Sequence, residues 1–284
     1  MRGKSAFLTL ALCFCVMTGS SLGVASETGN DSVLNSGANS GSSSGSSISD
    51  QLYFNLFSIY HGAPLTDLGS SHTVDNHGNP GKGGIYFDNE LTTAYMLTPS
   101  IGIGPDIPFL FVPVRGQGFI LGDVGVKIFN SKLISSGGLS VYGNLILQAP
   151  TSHSSADRNM FLGVKSTPYV RYDLPGSRFT VGAWSEIKSY LGVSYDKTFK
   201  LYAAPYVSYR LTSTLSLNLE YEIEAHHDLG RPTFEFGTYQ ADVMPGLIWR
   251  ITPKIMVNPY LQFFTGNQIS MDTAALGAVV NATL

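Results

Sequence analysis

LSLNLEYEIEAH, residues 215–226, alternates without a lapse: Leu215, Leu217, Leu219, Tyr221, Ile223 and Ala225 are apolar, and Ser216, Asn218, Glu220, Glu222, Glu224 and His226 between them are polar. Successive side chains of an extended chain point to opposite sides, so a period of two marks a strand with one oily and one wet face. The same reading holds on either side. Leu162, Val164, Pro168, Val170 and Tyr172 stand against Lys165, Tyr169, Arg171 and Asp173, with Ser166 the one polar residue on the apolar face. Leu201, Ala203, Pro205, Val207, Tyr209 and Leu211 stand against Lys200, Tyr202, Tyr206, Ser208 and Arg210.

Charge gives a second test of the alternation. Seven expected strands carry two or three charges each, at positions 88 and 90, 123 and 127, 165, 171 and 173, 186 and 188, 200 and 210, 220, 222 and 224, and 242 and 250. Within each strand the positions share parity, an agreement that random placement would produce about once in five hundred trials. A soluble sandwich also alternates, with its apolar faces turned to a common core. Here the strands are long and numerous, and long loops alternate with tight turns, which is the pattern of a membrane barrel. No stretch after the leader carries eighteen continuous apolar residues, so spanning helices are excluded. A closed sheet is the remaining way to satisfy every backbone polar group inside a bilayer.

A repeated phrase sets the register. Tyr95-Met96-Leu97-Thr98-Pro99-Ser100-Ile101, Tyr209-Arg210-Leu211-Thr212-Ser213-Thr214-Leu215 and Trp249-Arg250-Ile251-Thr252-Pro253-Lys254-Ile255 share one order: aromatic, any residue, aliphatic, Thr, Pro or Ser, any residue, aliphatic. Each reads as a strand end, a tight turn and a new strand. Tyr172-Asp173-Leu174-Pro175-Gly176 opens a fourth turn. The rings of Tyr95, Tyr172, Tyr209 and Trp249 fall on the apolar face just before a turn, the place of an interfacial aromatic girdle, and the turns are assigned to the periplasmic side. Counting outward predicts strands near 51–61, 84–97, 100–111, 119–130, 138–149, 160–174, 178–193, 199–211, 214–226, 239–251, 254–264 and 274–284. Twelve strands put both chain ends in the periplasm, and merging segments would give ten. Pro105, Pro168, Pro205, Pro245 and Pro259 fall inside these strands, where each removes a ladder hydrogen bond.

The N-terminal fifty residues read differently. Arg2 and Lys4 precede an apolar run from Ala6 to Met17, and Gly23-Val24-Ala25 offers a small-residue cleavage site, so residues 1–25 read as a signal peptide. Residues 26–50 are rich in Gly and Ser and read as a flexible linker before a barrel over 51–284. Both cysteines, Cys13 and Cys15, leave with the leader; of 284 residues about 259 remain, with no thiol for disulfides, metal thiolates or nucleophilic catalysis. Losing Arg2 and Lys4 takes the formal charge from −3 to −5, which gives no case for nucleic acid.

With these features the chain resembles Gram-negative outer-membrane β-barrel proteins of the porin and channel kind, over almost everything after Gln51. The resemblance implies an all-β antiparallel transmembrane barrel in the outer membrane of a Gram-negative bacterium. It also implies contact with outer-membrane lipids, recognition by the barrel-insertion machinery, and passage of small solutes. One departure is the last strand: Leu276, Ala278, Val280, Ala282 and Leu284 alternate, but such barrels commonly end on an aromatic residue.

The expected functional surface is the lumen. Its acids are Asp88, Glu90, Asp106, Asp123, Asp173, Glu186, Glu220, Glu222, Glu224 and Asp242, and its bases are Lys127, Lys165, Arg171, Lys188, Lys200, Arg210 and Arg250. Ten acids against seven bases imply a weak cation preference, with Glu220, Glu222 and Glu224 as an acidic ladder on one strand. If all of these pair across the lumen instead, the barrel is plugged and its role is structural or adhesive. A barrel-embedded hydrolase is a further reading, and it needs a base, nucleophile and orienting group together at the outer rim. The available bases there are His61, His72, His77, His153, His226 and His227; His226 and His227 are neighbours on a strand and point apart. The sequence assigns no catalytic residue, metal ligand or cofactor.

Overall fold

The computed structural model describes residues 51–75, 78–114, 118–192, 197–228, 235–266 and 269–283. The expected signal peptide and linker, His77 and Leu284 lie outside the described residues. The strands in chain order are β1 (Leu52–Pro64), β2 (His72–Val74), β3 (Pro80–Gly84), β4 (Tyr86–Met96), β5 (Ile101–Val112), β6 (Gly118–Leu121), β7 (Gly125–Ser136) and β8 (Leu139–Gln148), followed by a short helix α1 (His153–Asp157). After it come β9 (Met160–Ser166), β10 (Tyr169–Asp173), β11 (Phe179–Gly192), β12 (Lys197–Arg210), β13 (Leu215–Asp228), β14 (Gly237–Thr252), β15 (Ile255–Phe264) and β16 (Ala274–Thr283).

All but the β2–β3 hairpin join one antiparallel sheet in which β1 pairs with both β4 and β16, so the sheet closes on itself. Its fourteen segments fill twelve wall positions, because β6 with β7 and β9 with β10 each form one interrupted strand. The twelve-strand expectation holds, and the ten-strand alternative does not. The seam is clamped by Asn55, whose Nδ2 donates to Asn281 Oδ1 at 2.5 Å and Thr283 Oγ1 at 3.2 Å.

Parity decides what each side of the wall sees. Leu217 and Leu219 are 48% and 47% exposed, whereas Asn218 between them is 7% exposed. The outward set, including Val126, Ile128, Leu145, Leu147, Val181, Val207, Leu247 and Leu261, is apolar and uncovered around the whole barrel. A surface of that extent in water would drive aggregation, so the medium that fits it is lipid hydrocarbon. This is a barrel of the transmembrane type. β1 is apolar on both sides for a local reason: Leu52, Phe54 and Leu56 point out, while Tyr53 points in and packs on Phe129 at 5.3 Å between ring centroids.

The repeated phrase is a turn device. Thr98 Oγ1 accepts the Ile101 N–H and Thr212 Oγ1 accepts the Leu215 N–H, both at 3.0 Å, while Leu97 N and Leu211 N donate back to Ile101 and Leu215 carbonyls. Thr252 Oγ1 accepts instead the N–H two residues on, from Lys254, at 3.1 Å. At the fourth turn Gly176 has φ of +69° after Pro175, the arrangement of a type II turn, and Ser177 N donates to Leu174 O at 3.2 Å. These short turns and both ends of the barrel chain share one rim, and the long connections share the other.

The prolines find their places through the ladder. A proline lacks its bond on one side only, and the pairing lapses there: at Pro105 between β4 and β5, at Pro205 between β12 and β13, and at Pro245 and Pro259 between β14 and β15. In each case the register is unchanged beyond the gap or resumes after it. Pro168 interrupts the strand itself, separating β9 from β10. There the Asn144 side chain replaces the ladder, accepting the Thr167 N–H at 2.8 Å and donating to Thr167 Oγ1. A second break, between β6 and β7, is a one-residue bulge: Phe109 faces Leu121, but Asp106 faces Gly125.

Candidate functional site in the lumen

The register turns the inward residues into three groups of unlike charge balance. The first is neutral. Glu90 on β4 accepts from Lys127 on β7 at 2.7 Å and from Lys165 on β9 at 2.8 Å. Asp106 on β5, fully buried, lies 3.4 Å from Lys127 and 4.0 Å from Lys165, and accepts from Thr92 at 3.0 Å. Two acids thus answer two bases. Lys165 and Glu90 stand four wall positions apart out of twelve, so their bond is a chord that crosses a third of the circumference. Taking these charges from water is costly, and mutual pairing with the Thr92 hydroxyl is what offsets it.

The second group is on the opposite wall. Glu222 on β13 faces Asp242 on β14 directly, and Glu220 is the next inward residue towards the turn rim. None of their partners among the described residues is a base. Trp184 Nε1 donates to Glu220 Oε1 at 2.7 Å, Asn218 Nδ2 to Glu220 Oε2 at 3.4 Å, and Tyr202 Oη to Glu222 Oε1. Gln240 and Gln262 each donate to Asp242 Oδ2 at 2.7 Å, and Asp242 is also hydrogen-bonded to Glu222. Among the described residues no Lys, Arg or His forms an ion pair with any of these three carboxylates. Glu224, expected as the ladder's third rung, is answered instead: Lys200 Nζ lies at 2.9 Å and His226 Nε2 at 2.5 Å. The acidic set is therefore Glu220, Glu222 and Asp242, because Lys200 on β12 reaches between Glu224 and Glu186, the latter at 3.4 Å.

The third group is basic and lies towards the turn rim. Arg171 is held by Asp173 through Nε and Nη2 at 3.1 and 2.9 Å, and Thr180 also donates to Asp173. Arg250 meets Arg171 and Arg210 as like charges, and its Nε is buried without an acceptor. Three guanidinium groups here face one carboxylate.

The remaining expected lining residues sit near the loop rim. Asp88 is on the inward face of β4 and is exposed to the lumen. Lys188 lies 3.8 Å from Asp123 and 4.8 Å from the Tyr190 ring centroid. Asp123 is taken up by the bulge before β7 and anchors the start of α1, accepting from the N-cap residue Ser152 at its N–H at 3.1 Å and from Ser155 Oγ at 2.7 Å. Of the expected girdle, Tyr95, Tyr172 and Trp249 are exposed on the outer surface, and Tyr209 packs beside Phe179 there at 4.9 Å.

The described histidines do not converge. His61 stacks on Tyr86 at 4.3 Å, His226 on Tyr239 at 4.5 Å, and His153 faces Asp157 at 3.1 Å on the exposed helix. Thr198 Oγ1 lies 2.5 Å from His227 Nδ1, but its hydroxyl also bonds the His227 carbonyl at 3.2 Å. No group of three His, Cys, Asp or Glu among the described residues could hold a metal ion. The residues that sequence reading missed are Trp184, Tyr202, Gln240 and Gln262, which hold the acids. Their parity already put them on the inward face; what it lacked was the neighbour each would touch.

Closed antiparallel wall, lipid-facing exterior and charged interior together define a transmembrane β-barrel. Its sequence matches no family model and no curated protein. Three solved structures are similar to it in fold. An outer-membrane channel from Pseudomonas putida F1 aligns with TM-score 0.49 and 11% identity over 82% of this chain and 96% of that one. The NanC porin aligns with TM-score 0.42 and 9% identity over 81% and 98%. LpxR from Salmonella typhimurium aligns with TM-score 0.38 and 11% identity over 82% and 99%. The chemistry of the lumen has to be read from this chain's own residues.

Proposed function

We propose that this protein is a narrow channel in the outer membrane of a Gram-negative bacterium, passing small polar solutes or ions with a weak preference for cations. The observation that carries this reading is the acidic wall: Glu220, Glu222 and Asp242 have no basic partner among the described residues. In a filled, solvent-free core, ionised carboxylates would require pairing with bases, as Glu90 has. A wet path past them supplies mobile counter-ions and favours cations by its field. The arginines near the turn rim oppose that preference, which keeps it weak. Lipids of the outer membrane and its insertion machinery are the partners this reading implies, and it assigns no cofactor and no catalytic residue.

The test is conductance across a planar bilayer holding the purified protein. Discrete steps, with a reversal potential of cationic sign in a salt gradient, are expected. A second reading, a plugged barrel of structural or adhesive role, is favoured by the Glu90–Lys165 chord, which obstructs part of the lumen. Absence of any step above the bare bilayer would select it.

A further inference from the structure

The β2–β3 hairpin belongs to the long connection between β1 and β4 at the loop rim. Among the described residues it forms a sheet of its own, with His72 facing Gly84 and Val74 facing Pro80. The chain leaves the wall at Leu65, whose N–H donates to Ala274 O at 2.9 Å, and the base of the hairpin is tied by Ile85 N, which donates to Ser71 O at 3.1 Å. From there it turns towards the lumen. Val74 is buried with Phe264 and Ala275 in one apolar cluster. Both of these wall residues are on the inward face: Phe264 faces Asp242 in the β14–β15 ladder, and Ala275 faces Gln262, which donates to Asp242. Near the tip the fit is close as well. Gly78 has φ of +77°, and a Cβ there would come within 2.9 Å of both Phe264 Cβ and the Thr273 carbonyl oxygen.

We infer that this hairpin is a lid, seated inside the loop-side mouth of the barrel and covering the acidic wall. Three observations carry it. The apolar seat lies on the lumen side of the rim, in the same ladder rows as Asp242 and Gln262. That seat is small, one valine against a ring and an alanine. A two-stranded hairpin on its own is marginally stable in water, so the seat decides where this one rests. Beneath it Asp242 is fully buried and Gln262 is buried, although they belong to the wall that ions would have to wet. Passage along that wall therefore requires the hairpin to rise on the strap from Leu65 to Ser71. The inference deepens the channel reading by placing its gate at one hairpin, and it rests on that reading only for what passes when the lid is open.

Thiol labelling reads the position of the lid without any current. Cys13 and Cys15 precede the expected cleavage site, so Val74→Cys or Gln262→Cys, made singly in the full-length chain, supplies the sole thiol of the processed protein. With a membrane-impermeant maleimide and the protein in detergent micelles, both should react slowly. Adding Gly78→Ala, whose Cβ pushes the tip off Phe264, should speed both at least tenfold. Val74→Asp is the second variant: it sets a carboxylate in the apolar seat, leaves the wall untouched, and should speed Gln262→Cys by as much. Retention of the heat-dependent gel shift shows that the barrel is intact in each. In planar bilayers Gly78→Ala and Val74→Asp, each without added cysteine, should raise the mean current per molecule at least twofold. Labelling of Val74→Cys at the rate of a free peptide thiol before any second substitution overturns the lid, and so does unchanged labelling of Gln262→Cys in both variants. An unchanged current in both variants, where the unaltered protein conducts, overturns it too. Faster labelling in a protein that passes no current in any form overturns the channel reading alone.

Discussion

Glu222 and Asp242 stand opposite each other in the β13–β14 ladder, two acids at one level of the wall with no basic side chain bonded to either. If ions pass them, they lie with Glu220 on the acidic part of the path. Ten inward acids against seven bases leave an excess of three, and replacing both by amides leaves one. The Glu222→Gln, Asp242→Asn protein should therefore lose most of its cation preference, read as a reversal potential moving towards zero in a potassium chloride gradient. Substituting Glu224→Gln, whose charge is met by Lys200, should move it less.

The belt on the other wall answers for stability. Glu90→Gln would leave Lys127 and Lys165 facing Asp106 alone, a surplus of charge in a buried site. Removing one partner of such a network costs about 3–5 kcal/mol. Urea unfolding in lipid vesicles, followed by tryptophan emission, should show a lower midpoint; an unaltered midpoint would mean that water already screens the belt.

Cysteine scanning tests the two faces. Because Cys13 and Cys15 both precede the expected cleavage site, single cysteines can be read without background. Cysteines at Asn218, Glu220 and Tyr206 should react with a membrane-impermeant thiol reagent in liposomes, and those at Leu217, Leu219 and Val207 should not. Equal labelling of both sets would sink the transmembrane barrel.

Close approach of a ring to bare backbone gives another measurable effect. Tyr260 lies over Gly277 on the neighbouring strand, where an added Cβ would come within 2.4 Å of the ring. Gly277→Ala must push Tyr260 aside, and overpacking of this kind costs about 1–3 kcal/mol. The barrel's heat-dependent gel shift should occur at a lower temperature, and Tyr260→Leu in the same chain should restore part of it.

Residues 26–50 are expected to be a flexible linker that the barrel does not need. Deleting them should leave the gel shift and the bilayer conductance as they were; loss of either would mean that this segment packs with the barrel.

Much of the wall was legible because a strand has a strict period of two and the bilayer enforces it on every strand. The parity of Leu217 against Glu220 is a local property, and so is the Thr98 or Thr212 turn, in which one hydroxyl meets an N–H three residues on. Pairing inside the lumen is not local. Lys165 meets Glu90 across four wall positions, and Lys200 takes Glu224 out of the ladder, through side-chain reach that no sequence spacing encodes. The bulge before β7 was equally hidden, since Asp123 keeps the parity of Lys127 while being drawn to α1.

The Asn55 clamp has a consequence for how the barrel is made. Every other ladder in the wall joins strands that follow one another along the wall, and even the longest of their connections, from Pro64 to Tyr86, closes at a lower entropic cost than a span of more than two hundred residues. The clamp from Asn55 to Asn281, Ala282 and Thr283 instead spans 226 to 228 residues, so it must wait until the last strand has been synthesised and delivered. Until then β1 and β16 are two bare edges, each able to pair with any other strand it meets. Assembly is therefore timed by a single stitch, and the chain is most vulnerable to mispairing in the interval before Asn55 finds the far end.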